Sequence, residues 1–274
     1  MLHTHGTPRD NDAYLRISLP FDKYIDKRIV IDAYLKDYYA NKYPINPDKV
    51  SVIYNGIDSS CLGENNDDNN DYLFNKIPSD RKIITFIGRL EDDKSPTRLV
   101  DIAIELKARS LPISIVVIGD GTLDVSMIKK ATEAAVIDDY IYFYGKSNNP
   151  LPLAKRSDFT ILVSNAEGIP MSVLESMSVS TPAISSAVGG IPEIIDHLRD
   201  GFLVPILDLN SENEKIKAFV DTVVQACALN KHDYLAMQTS AKKKVLTKFS
   251  NMPEIYEHLF ETGKILTEKS LKKK

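Results

Sequence analysis

Glu167 and Glu175 stand eight positions apart, and between them Gly168, Ile169 and Pro170 open a stretch with helical spacing. Two carboxylates so placed, one on a turn and one in the second turn of a helix, offer acceptors to hydroxyl groups. The free N–H groups of Gly168, Ile169 and the first helical residues form an anion site between them. A ligand with a diphosphate at its middle and hydroxyl-rich sugars at both ends fits that layout, and a nucleotide-sugar is such a ligand. Upstream, Arg89 offers a planar fork and Lys94 a point charge, a pair suited to a leaving diphosphate. Each has a plainer reading beside it. Carboxylates on an exposed helix are usually solvated, and both cations flank the acidic Glu91-Asp92-Asp93.

These residues need a frame. From Lys82 onward, apolar runs at 83–87, 113–118, 140–144, 159–163 and 183–186 read as buried parallel strands. Amphipathic segments at 97–109, 123–135 and 170–179 alternate with them as helices. Met171, Leu174 and Met177 form the expected buried face of the last. Strand-helix alternation predicts an α/β protein, a doubly wound parallel sheet whose ligands bind beyond the carboxyl ends of its strands. Further helices are expected at 213–229, 234–248 and 252–267, the last with Ile255, Tyr256, Leu259 and Phe260 on one stripe. Before Lys82, a strand enters a helix within 26–39 and a short strand falls at 49–54. Residues 64–71, acidic and Asn-rich, read as a loop.

Composition is ordinary for a soluble globular chain, with 43% hydrophobic and 26% charged residues among 274. A net charge of −4 gives no bulk attraction to nucleic acid, so any phosphate binding must be local. Cys61 and Cys227 form no metal-ligand cluster and suit a reduced, cytoplasmic setting. The basic tail at 269–274 leaves two readings, a solvated terminus or peripheral contact at an inner membrane face. Gly119-Asp120-Gly121 lacks the third glycine of a dinucleotide fingerprint, since Asp124 stands there, which counts against a dehydrogenase. Asp10-Asn11-Asp12 has the form of a metal motif but no strand to precede it, so no metal is expected.

The ordered set Glu167-Gly168-Ile169-Pro170, Glu175-Ser176-Met177, Thr181-Pro182 and Gly189-Gly190-Ile191-Pro192-Glu193 resembles the E-x7-E signature of retaining, two-domain GT-B glycosyltransferases of family 4. Gly88-Arg89-Leu90 with Lys94 resembles that family's G-R-L-x-x-x-K-G, although Ser95 replaces the usual Gly. The resemblance implies hexosyl transfer from a nucleoside-diphosphate sugar to a glycan or lipid-linked acceptor. Glu167 would hold sugar hydroxyls, Glu175 the ribose, and Arg89 and Lys94 the leaving diphosphate. Gly88 and Gly145 would line the nucleotide pocket, and Gly121 would serve the loop's structure first and line the pocket second. Gly168 and Ile169 would lend their amides, and His5 of His5-Gly6 would reach the donor sugar. No cofactor or metal is implied.

Val50 to Asp58 resembles the V-I-x-N-G-[IV]-D element that links the two domains of these enzymes. Roughly 150 or more residues usually precede its Asn-Gly turn, and here 54 precede Asn55-Gly56. The implied division is a remnant of the acceptor-side domain with linker at 1–58, a nucleotide-sugar domain at 59–250, and a crossover helix with basic tail at 251–274. A truncated transferase and a donor-binding module that works with a separately encoded N-terminal domain both stay open.

Overall fold

The computed structural model describes residues 2–4, 15–58, 72–250 and 252–262. Its strands are β1 (Leu2–Thr4), β2 (Arg28–Val30), β3 (Val50–Val52), β4 (Lys82–Ile87), β5 (Ile113–Ile118), β6 (Ile141–Gly145), β7 (Phe159–Leu162), β8 (Ala183–Ser186) and β9 (Gly201–Val204). The helices are α1 (Ala33–Lys42), α2 (Tyr72–Lys76), α3 (Thr97–Ala108), α4 (Asp124–Glu133), α5 (Leu151–Lys155), α6 (Met171–Ser178), α7 (Ile191–Ile194), α8 (Glu212–Cys227), α9 (Lys231–Lys248) and α10 (Met252–Thr262). His5, Asp10 to Asp12, Cys61, the 64–71 run and the basic tail lie outside the described residues.

Strands β4 to β9 make one sheet in the order β6-β5-β4-β7-β8-β9, and every pairing in it is parallel. The unbroken apolar run of β5 follows from its position, because both its faces are covered. Ile113, Ile115 and Val117 pack into one core with α3 and α4 residues such as Leu99 and Met127. Val116 and Ile118 pack into another with Phe74, Ile77, Tyr142 and Leu153. Helix α8 begins where Ser211 and Glu214 cap each other's backbone amides.

Two strands exceed the sequence expectation. β9 is only four residues long, starts with Gly201 and runs into Pro205, so it lacks a β-branched run to announce it. β1 pairs parallel to β2, which pairs parallel to β3, giving a small second sheet. One face of it, with Val30 and Val50, packs on Leu35 and Tyr39 of α1. The other, with Ile29 and Ile53, packs on Met252 and Leu259 of α10. Of the expected α10 stripe, Leu259 is buried and Phe260 is 71% exposed. The Ile57 amide donates to the Phe249 carbonyl at 2.8 Å, and a Cβ on Gly56 would lie 2.4 Å from that oxygen.

Candidate functional site

The chain runs outward from β4 through β5 to β6, then returns to place β7 on the other side of β4. The connections after β4 and β7 therefore leave in opposite directions, and their carboxyl ends flank a crevice. Lys94 comes from the single helical turn at Asp92–Lys94 beyond β4, and Glu167 from the turn beyond β7. They meet across the crevice, with Lys94 Nζ donating to both Glu167 carboxylate oxygens at 2.8 Å. Glu167 is only 5% exposed, so this charge-assisted pair compensates a desolvated carboxylate. Arg89 stands apart from that pair, exposed and bonded to Asp93 at 2.9 Å.

The turn carrying Glu167 is braced by a residue that pattern reading passed over. Arg98, 3% exposed, donates to the Val163 carbonyl at 2.6 Å, to Asn165 at 2.7 Å and through two nitrogens to Glu212 at 2.7 and 2.8 Å. The guanidinium holds the Glu212 carboxyl down at about 2. The available signal was Arg98's place four residues before Ile102, on the apolar stripe of α3. Asn165 in turn donates to the Ser95 hydroxyl at 3.0 Å. Ser95 has φ +49°, the left-handed region that explains why glycine is usual at this point of the resembling motif. Gly189 backs the same turn; with φ +53°, any Cβ there would lie 1.8 Å from the Glu167 carbonyl oxygen.

Helix α6 starts at Met171, with Pro170 as its N-cap in extended conformation and no side chain capping it. The Val173 and Leu174 amides donate to the Pro170 carbonyl at 3.2 and 3.4 Å, which leaves those of Met171 and Ser172 for an external acceptor. Met171, expected in the core, is 37% exposed; the buried face is made by Val173, Leu174 and Met177 instead. Met171 occupies the first helical position at the open N-terminus, and burial begins with the residues that reach the sheet. Glu175, half-buried, has no side-chain partner among the described residues, and burial alone pushes its carboxyl up.

A second cleft, of about 220 Å³, opens at the carboxyl ends of β4, β5 and β6, lined by Gly88, Arg89, Gly119, Asp120, Lys146 and Ser147. Gly145 has φ +81° and open space where a Cβ would be, while its carbonyl accepts the Gly119 amide at 2.9 Å. Gly121 is not on that wall. A Cβ there would lie 2.5 Å from the Leu90 carbonyl, so its smallness serves loop packing. A larger cleft of about 290 Å³ lies at the amino ends of β4 and β7. Within it Lys82 donates to the Asp158 carboxylate at 2.8 Å and the Tyr234 hydroxyl to the Asp158 carbonyl at 2.6 Å. Among the described residues, no group of three or more His, Cys, Asp or Glu is placed to hold a metal ion, and no helix is long and apolar enough to cross a membrane.

Comparison with known proteins bears on this site. An Escherichia coli UDP-Gal:alpha-D-GlcNAc-diphosphoundecaprenol alpha-1,3-galactosyltransferase is 26% identical over 200 residues, covering 71% of this chain and 51% of that protein. The E. coli O-antigen biosynthesis glycosyltransferase WclY is 24% identical, covering 86% and 63%. The chain thus spans about half to two thirds of these relatives' lengths. Anabaena Alr3699/HepE, solved in complex with UDP, superposes with a TM-score of 0.74 at 16% identity, over 95% of this chain and 70% of that one. That likeness places the fold among those of GT-B glycosyltransferases. The family model for glycosyl transferases group 1 matches residues 69–231, more than half of the sequence, and the chain belongs to that family.

Proposed function

We propose that this chain binds a nucleoside-diphosphate sugar across the β4–β7 crevice and supports transfer of its hexose, with retention at the anomeric carbon, to a glycan or lipid-linked acceptor. The observation that carries the reading is the meeting of Lys94 and Glu167 over the crevice, beside the uncapped N-terminus of α6. With no donor bound, each neutralises the other. An arriving diphosphate draws the ammonium toward phosphate oxygens and frees the Glu167 carboxylate for sugar hydroxyls. Arg89 and the amides of Gly168 and Ile169 add donors where negative charge collects as the diphosphate departs and the sugar takes on oxocarbenium character. Glu175, half-buried and without a side-chain partner among the described residues, gains most from the two hydroxyls of a ribose. Gly88 lines the neighbouring cleft and Gly145 leaves open space where a Cβ would be, which suits the base. His5 is assigned to the donor sugar by motif alone. Fixed cations and a helix N-terminus supply the charge that a metal supplies elsewhere, so the reading requires none.

Calorimetry with UDP and GDP in the presence of a chelator tests it. Binding is expected without metal, and Glu175→Ala should weaken it by about 1–3 kcal/mol, the loss of hydrogen bonds to a charged group. Equal affinity of wild type and variant would remove Glu175 from the ribose. Turnover of UDP- and GDP-hexoses with membrane-extract acceptors then separates the transferase from a donor-binding module that works with a separate acceptor domain, which binds without transferring.

A further inference from the structure

Glu193, at the end of the Gly-Gly-Ile-Pro-Glu run, does not face the crevice chemistry described above. Its carboxylate reaches across to the small sheet's helix. One oxygen accepts the Ala33 and Tyr34 amides of α1 at 2.9 and 3.0 Å, and the other accepts the Ala33 amide at 3.0 Å and the Tyr54 hydroxyl at 2.9 Å. Those amides are the orphan donors of a ten-residue helix, here satisfied from 160 positions away. The same short run touches the donor turn on its other side. Gly189 lies under the Glu167 carbonyl, and a Cβ on Gly190 would be 2.8 Å from the Gly168 carbonyl and 2.9 Å from Cβ of Asp32, the α1 N-cap. One rigid segment therefore contacts the turn carrying Glu167 and grips α1.

We infer that Glu193 is a positioning residue: it clasps α1 to the donor turn, so that a change at that turn on nucleotide binding is passed to the segment carrying α1. The clasp itself stands on the geometry; only the coupling rests on the donor reading above. Residue-resolved hydrogen exchange, read with and without UDP, tests the two parts separately. Without UDP, Glu193→Ala should speed exchange at Ala33 and Tyr34 at least tenfold while Ile84 and Val117 in the large sheet keep their protection. Glu193→Gln should restore most of it, because its amide oxygen can accept from α1 while its NH2 group donates to Tyr54. Tyr54→Phe, which removes one contact and keeps the carboxylate, should show a smaller rise of about threefold and serves if the alanine variant does not fold. Unchanged exchange in the alanine and phenylalanine variants, or a glutamine variant no better than alanine, overturns the clasp. With UDP, wild type should change its exchange at Ala33 and Tyr34 and Glu193→Ala should not. An equal response in both proteins, or none in wild type when calorimetry shows UDP bound, overturns the coupling. UDP failing to bind at all is a failure of the donor reading and leaves the clasp to its own test.

Discussion

The Lys94–Glu167 pair is stable only as a pair. Glu167 has given up nearly all its solvent, and Lys94 retains some, with its side chain 23% exposed. Removing the lysine leaves a buried carboxylate without a counter-charge, a change that costs about 3 kcal/mol or more when no solvent can replace the partner. Lys94→Ala should therefore lower stability by about 2–3 kcal/mol in urea unfolding, toward the low end because water can enter from the Lys94 side. Adding Glu167→Gln should recover a large part of that loss, since the stranded charge goes with it. Additive losses in that double-mutant cycle would show that the two side chains do not interact in solution. Neighbouring Ser95 illustrates the opposite balance, a strained left-handed backbone kept alongside a hydrogen bond from Asn165.

At the scale of elements, the turn after β7 is held from α3 and α8 together. Arg98 gathers the Val163 carbonyl, Asn165 and Glu212 around one planar group, so the start of α8 and the turn that ends in Glu167 share a single brace. Arg98→Met keeps much of the apolar stem but strands a buried carbonyl and releases Asn165. The expected outcome is a stability loss of about 2–4 kcal/mol and weaker UDP binding, with Arg98→Lys recovering only part because one ammonium cannot serve three directions at once. Calorimetry and urea unfolding on the same three proteins check both effects. UDP affinity unaltered in Arg98→Met would detach the brace from the donor site. Helix α6 depends on this brace too, because its open N-terminus is useful only if the preceding turn holds still.

Across the whole molecule, the small sheet and the large one are joined by the Glu193 clasp, the Ile57–Phe249 backbone bond and α10. Asp32 sits in that junction, 1% exposed, accepting the Leu35 amide while the Glu193 charge stands nearby. Burial first, and the Glu193 charge as well, push its carboxyl up to about 6 from 3.8, against the cap hydrogen bond that lowers it. Between those two values the folded protein holds a proton that the unfolded chain has released. Stability from this group therefore falls as pH rises from about 4 to about 6 and stays low above, an effect of up to about 3 kcal/mol. Asp32→Asn keeps an N-cap acceptor and removes the titration. Relative to wild type it should gain stability on going from pH 4.5 to pH 7.5, as followed by urea unfolding. A constant difference across that range would mean that Asp32 titrates normally in the folded protein.

The sequence by itself determined the layered α/β plan. Continuous apolar runs mark strands covered on both faces, and helical periodicity between them leaves a parallel sheet as the solution, so five strands of the large sheet were legible within a residue or two. It also carried the Glu167–Glu175 spacing and the Gly88-Arg89-Leu90 element, because those motifs are local. Tertiary structure alone decided which of these residues meet. Lys94 and Glu167 are 73 positions apart and come together only because β7 returns beside β4. Arg98 reads locally as one more helix cation until α8 supplies Glu212. Gly121 reads as structural first and pocket-lining second, and only the fold names the Leu90 carbonyl that it packs against. Glu193 reads as part of a motif until α1 is placed beneath it. Periodicity records what each segment buries, since burial repeats along the chain. A hydrogen-bond partner supplied by a distant segment leaves no repeat, and is fixed only when the sheet order brings the two segments together.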